Sequence, residues 1–203
     1  MNIDQRYEIE IFERYENLKK TNKEEFNNFD LCKIFEYYTC LKLSEERKNL
    51  FYCYEDIKPD FKEENKMSQD DTGIDCSDLK DTIVQCKLRK KKLNWKECST
   101  FFGSQNIFNS ELKKTQVRWN NLIISRNTEC ELSKNLSQRR ELFIDKTYDK
   151  EEIIGFCENL ILKPPKYPEE NKNFKLRDYQ LEAIEKIKNS KNIIINLPTG
   201  TGK

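Results

Sequence analysis

The sequence predicts a mixed α/β fold whose elements run α, β, β, β, α, β and then a further β and α. Three observations carry this expectation. Leu31, Ile34, Phe35, Tyr38 and Leu41 recur at helical spacing just before a run of short extended segments. A second apolar helical pattern, from Trp95 to about Phe108, separates those segments from later strands. Pro164, Pro165 and Pro168 then interrupt the chain where neither helix nor central strand continues.

Residues 1–29 are charged, with Ile9, Phe12, Tyr15 and Leu18 on one face, so an amphipathic helix and a connector are expected there as an N-terminal extension. Asp30 is a plausible N-cap for the next helix, which should end near Arg47. Phe51, Cys53 and Ile57 mark a β-rich stretch, Pro59 to Asp71 a turn-prone one, and short strands follow around 72–79 and 82–89, as in a meander. After the helix from Trp95, strands are expected over 117–125 and 142–145, then a helix over 151–162. One domain thus spans 30–162, and 163–174 reads as a linker. Beyond it, Tyr179, Ala183, Ile184 and Ile187 share a helical face, and 192–197 has the pattern of a buried strand.

Composition narrows the chemistry. Hydrophobic and charged residues each make up 36%, a balance suited to a soluble globular protein. No apolar run approaches the ~20 residues needed to span a bilayer, and the start lacks a signal-peptide pattern, so an intracellular location without membrane contact is expected. The eight cysteines include no C-x-x-C pair and read as reduced, small core residues. The histidine count is 0, which removes Ser-His-Asp and Cys-His catalysis and His-ligated zinc. Catalysis is left to carboxylates, lysines and a hard metal ion. A net charge of +1 says nothing by itself, so any nucleic-acid contact must come from local clusters.

The centre of the chain is the most informative part. In a strand from Thr82, the side chains of Ile83, Gln85 and Lys87 share one face, while Val84, Cys86 and Leu88 share the other and can enter a core. If the preceding strand pairs antiparallel through a turn near 77–81, Asp75 approaches Gln85. Asp75, the Gln85 side-chain oxygen and the Cys86 carbonyl could then ligate Mg²⁺ or Mn²⁺, with waters completing the octahedron. Lys87 would orient the attacking water and steady developing charge. A polar hairpin with Gln85 and Lys87 on its wet face is the alternative.

Gly73-Ile74-Asp75 with Val84-Gln85-Cys86-Lys87 resembles the Mrr-like branch of the PD-(D/E)XK nuclease superfamily, over roughly residues 30–162. The resemblance implies a restriction-endonuclease-like αβββαβ core. It also implies an auxiliary acid from the preceding helix, a place that Glu36 occupies; the other reading of Glu36 is a helix-surface carboxylate. A neutral glutamine stands where the pattern usually has an acid, and glutamine is the weaker ligand. The basic run Arg89, Lys90, Lys91 and Lys92 is expected to contact DNA phosphates, or else to be a solvated loop or a nuclear-import signal. Trp95, Phe101, Phe102 and Phe108 are expected to pack rather than stack on bases.

Leu176 to Gln180, followed by the strand 192–197 and Pro198-Thr199-Gly200-Thr201-Gly202-Lys203, resembles the Q motif and motif I of superfamily 2 helicases. The resemblance implies that Gln180 reads adenine and that the loop Thr199, Gly200, Thr201, Gly202 and Lys203 cradles ATP phosphates. Residues 175–203 are therefore expected to open a helicase ATPase domain whose remaining motor lies in a longer parent protein, this chain alone being inactive as an ATPase. The expected function is a Mg²⁺-dependent DNA endonuclease attached to a helicase. The alternative is a catalytically inactive restriction-endonuclease-like module that holds DNA for that motor.

Overall fold

Both faces of one five-stranded sheet are apolar, and each is covered by its own set of helices. The computed structural model describes residues 3–21, 29–69, 73–111 and 116–167. The chain divides into compact units of 1–166 and 167–203, and the elements described here belong to the first. In order they are α1 (Ile3–Thr21), α2 (Phe29–Arg47), β1 (Tyr52–Cys53), α3 (Pro59–Glu64), β2 (Cys76–Ser77), β3 (Thr82–Lys87), α4 (Trp95–Glu111), β4 (Asn121–Asn127), α5 (Lys134–Ser137), β5 (Ile144–Tyr148) and α6 (Lys150–Leu162). The sheet order is β1-β2-β3-β4-β5; the first three strands are antiparallel, and β3, β4 and β5 run parallel. No helix of the described residues is long and apolar enough to cross a membrane.

The first core lies between the sheet and α1, α2 and α6. Tyr7, Ile11, Tyr15 and Leu18 of α1 pack there with Ile34, Phe35, Tyr38 and Leu43 of α2, with Val84 and Cys86 of β3, and with Ile153 and Leu160 of α6. The α1 stripe is turned relative to the expected one: Tyr7 and Ile11 are fully buried, whereas Phe12 is only partly covered. Two phenols explain the turn. The Tyr15 hydroxyl donates to Glu158 at 2.7 Å, and the Tyr7 hydroxyl donates to Asp56 at 2.9 Å while accepting the Cys53 N–H at 2.7 Å. The buried rings thus keep their polar ends satisfied, and α1 is built into the same core as α2.

The second core lies on the other face, where Phe101, Phe102 and Phe108 of α4 pack with Ile83, Ile124, Trp119 and Leu136. The aromatic residues of α4 are core, as their spacing indicates.

Strand lengths differ from expectation for local reasons. Gly73, at φ +79°, and Leu79, at φ +58°, leave the extended region on either side of β2 and cut it to two residues. A 3-10 turn over Tyr54–Asp56 shortens the β-rich stretch after Phe51. Pro59 occupies the first turn of α3, where its preset φ and missing N–H are tolerated, so a short helix forms in the turn-prone segment. Strand β4 starts later than expected because the Trp119 backbone is held by side chains instead: Asn109 accepts its N–H at 2.9 Å, and Gln105 and Asn109 donate to its carbonyl at 2.7 and 2.9 Å.

The β2–β3 turn sets the register that places the site. Asp78 Oδ1 accepts the N–H groups of Lys80, Asp81 and Thr82 at 3.0, 3.1 and 2.9 Å. That turn aligns Cys76 with Val84 and Ser77 with Ile83. One residue further out, the Asp75 N–H still donates to the Val84 carbonyl at 2.9 Å.

Candidate active site

Helix α2 brings Lys33 and Glu36 onto one face, one turn apart. The Lys33 ammonium lies 2.6 Å from Glu36 and 2.9 Å from Glu55, and the Tyr37 hydroxyl donates to Glu55 at 3.0 Å. From the sheet side, Asp75 arrives at the start of β2 and accepts the Cys86 N–H at 2.6 Å through Oδ2. Glu36 and Asp75 both line an open pocket of about 310 Å³, with Lys33, Glu55 and Lys62 as the other charged groups on its wall and Phe29 exposed there. Lys62 is buried, its ammonium 4.1 Å from the centre of the Tyr54 ring, and burial lowers its pKa. A groove of about 340 Å³ between α1, α2 and Phe156 is slightly larger, but it contains none of the candidate site residues.

The charges in the pocket are strongly coupled. Burial is the first cause, and the neighbouring Asp75 carboxylate the second, that push the Glu36 carboxyl from 4.5 up to about 8; Lys33 opposes both. Lys33 is itself held above its ordinary value by the two glutamates, against the effect of burial, a direction that presupposes ionised partners. The two shifts pull against each other. Glu36 stays raised because Lys33 divides its charge with Glu55, whose carboxyl it draws below the usual range against the effect of burial.

This gives a test on metal-free protein. Glu36 has a higher pKa folded than unfolded, so its stabilising contribution is complete below about pH 4.5 and is lost as pH rises to and past about 8. Denaturant titrations in chelator between about pH 5 and about 9 should show this fall for the unaltered protein and a flatter profile for Glu36→Gln. Identical slopes would remove Glu36 as a buried, Asp75-coupled acid.

Lys87 ends β3, half-buried. It is not among the residues that line the pocket, but its charge lowers the half-buried Cys32 thiol, which burial first and then Glu36 and Asp75 push up. Glu36, Asp75 and Lys87 therefore act electrostatically on one neighbourhood. Gln85, expected as a ligand beside Asp75 or else on a wet strand face, neither lines that pocket nor faces water. It is 2% exposed, on the Ile83 face that α4 covers. Its Nε2 donates to the Gly73 carbonyl at 3.0 Å, and its buried Oε1 has no hydrogen-bond partner. Gly73 is needed for this arrangement: at φ +79° a Cβ would be strained and would come within 3.0 Å of Gln85 Nε2. Cys86 meets Asp75 through its N–H.

The basic run lies between β3 and α4 and is largely engaged by acids. Arg89 forms a two-pronged pair with Glu97 at 2.7 and 2.8 Å, which holds the Glu97 carboxyl down at about 2. Lys92 lies 2.9 Å from Glu131 and Lys90 3.8 Å from Glu129. Lys91 is exposed. Gln180 and the loop Thr199, Gly200, Thr201, Gly202 and Lys203 lie outside the described residues.

Sequence reasoning missed Lys33, Glu55 and Lys62. Their spacing along α2, the 3-10 turn and α3 carries no periodic signal that would have joined them. Scans against models of protein families, against curated proteins and against solved structures return no match.

Proposed function

We propose that this domain hydrolyses phosphodiester bonds in DNA with the help of Mg²⁺ or Mn²⁺, as an endonuclease of the restriction-endonuclease-like type. The observation that carries the reading is the meeting of two carboxylates from separate elements, Glu36 and Asp75, in one open pocket with ammonium groups beside them. The donor set suits a hard cation: two carboxylates repel each other, and the buried amide oxygen of Gln85 has no hydrogen-bond partner. Bound Mg²⁺ supplies Lewis-acid polarisation of a phosphate and a more acidic water.

The remaining roles fall to the chain itself. The Cys86 N–H fixes Asp75 in orientation, and Glu36 is the second acid, whose raised pKa makes its charge depend on what else is bound. Lys87 steadies charge on the phosphate or holds the attacking water. Lys33 and Lys62 line the pocket wall, Lys33 paired with Glu36 and Glu55 and Lys62 packed on the Tyr54 ring. The segment 175–203 fits the same reading as the opening of a superfamily 2 motor that would deliver DNA to the pocket, with ATP as its fuel.

One observation favours a second reading, a domain that binds DNA without cutting it. Lys33 already lies 2.6 Å from Glu36, so that carboxyl has a structural partner without a metal.

Plasmid cleavage with Mg²⁺ or Mn²⁺ separates the two. Supercoiled DNA should be nicked by the unaltered chain, and Lys87→Ala should slow the reaction by about 10²- to 10³-fold, the usual loss for one charge-stabilising group. DNA binding without cleavage under either metal selects the second reading.

A further inference from the structure

Four cysteines from four elements converge behind the pocket. Cys40 of α2, Cys53 of β1 and Cys76 of β2 are fully buried, and their Sγ atoms all lie within 4.8 Å of one another. Cys40 and Cys53 are 3.7 Å apart, and Cys86 of β3 adds a fourth sulfur, 4.0 Å from Cys76. Burial alone is ordinary for cysteine, a small apolar residue. Convergence of four is not. The other buried cysteines, Cys98, Cys130 and Cys157, stand apart from this group. A tetrahedral ion with bonds of about 2.3 Å to sulfur spaces its ligands about 3.8 Å apart, and two of the observed contacts, 3.7 and 4.0 Å, bracket that value.

We infer that Cys40, Cys53, Cys76 and Cys86 form a thiolate site for a thiophilic d10 ion of the Zn²⁺ class. The first three sulfurs lie within 4.8 Å of one another, and Cys86, 4.0 Å from Cys76, is the fourth ligand of the set. Binding exchanges each coordinating thiol's proton for a bond to the ion and releases the protons to solvent. The Lys33 ammonium, whose field reaches Cys53, offsets part of the anionic charge.

The site has a definite place in the architecture. Cys76 directly follows Asp75, Cys86 stands between Gln85 and Lys87, and Cys40 lies one helical turn beyond Glu36. An ion there would tie α2 to three neighbouring strands immediately behind the pocket, and would hold its acids in position without touching substrate. Coordination of this kind adds to folding stability directly, because the unfolded chain has no preformed site.

The test uses the full chain, purified anaerobically with reductant, and does not depend on whether the pocket cuts DNA. Elemental analysis after removal of loosely bound ions should find about one zinc per chain, as a single closed thiolate site requires. Exchange into Co²⁺ should give intense sulfur-to-cobalt charge-transfer and tetrahedral ligand-field bands. Cys53→Ala and Cys40→Ser should lose both signals, and Cys157→Ala should keep them. Because the core variants could lose metal by unfolding, the cobalt spectrum of the unaltered, folded chain is decisive by itself. No zinc above a cysteine-free control protein together with no cobalt thiolate bands overturns the inference. So does a mass lower by two hydrogens per pair, which would show that the sulfurs pair as disulfides.

Discussion

Asp75→Asn is expected to abolish metal-dependent cleavage while leaving the metal-free domain as stable as before, or slightly more so. Asparagine keeps an oxygen that can accept the Cys86 N–H, now met by Asp75 at 2.6 Å, so the start of β2 has no reason to move. What disappears is one of the two charges that face each other in the pocket. The Glu36 carboxyl, held up by burial and then by Asp75, should fall back toward its ordinary range. With one carboxylate gone, the pocket should lose the differential affinity through which a cation stabilises only the folded state.

Metal at ten times its dissociation constant raises stability by about 1.4 kcal/mol, or roughly 3–5 °C in a domain of this size. The unaltered chain should show that rise in melting temperature with millimolar Mg²⁺ or Mn²⁺, and Asp75→Asn should show almost none. Cleavage by the variant should fall at least about 10³-fold, the scale of losing several kcal/mol of charge stabilisation. Equal metal responses in the two proteins would exclude Asp75 as a ligand. Because zinc content is read separately from the Mg²⁺ response, the two metal proposals stand or fall independently.

Trp119→Ala should produce the largest loss of stability of any single truncation in the second core. Trp119 is among the largest fully buried side chains, and it packs where α4 meets β4. Removing so large a buried group typically costs about 3–5 kcal/mol, from lost transfer free energy and an unfilled cavity. Its backbone is also the anchor for Asn109 and Gln105, so collapse around the cavity would disturb the end of α4 as well. A melting temperature lower by roughly 10 °C follows at about 2–4 °C per kcal/mol. Trp119→Phe should cost far less, because it keeps most of the ring contacts and deletes an indole N–H that is buried without a partner. If the alanine variant melts within experimental error of the unaltered chain, Trp119 is not central to this core.

The contrast between expected and observed elements follows physical lines. The α2, α4 and α6 stripes and the alternation of β3 were legible because helix and strand periods are local properties of the chain. Asp75 was also reachable, since a meander brings it toward β3, whereas Glu36 was reached only through the family resemblance. The strand ends were not, because they depend on single backbone positions: Gly73 and Leu79 with positive φ, and Trp119 engaged by side chains of α4.

By itself the sequence determined the α/β class, the order of the strands and of α2, α4 and α6 but not α3 or α5, which side chains share each face of β3, and the exclusion of histidine-based catalysis. Only the tertiary structure decided which faces are covered. It buried Gln85 beneath α4, joined α1 to the first core, set Lys33 between Glu36 and Glu55, and paired Arg89 with Glu97. It also gathered Cys40, Cys53, Cys76 and Cys86, whose separation along the chain hides their proximity. The reason is that periodicity states which side chains point together, whereas burial, pKa and ligand sets depend on what another part of the chain places opposite them.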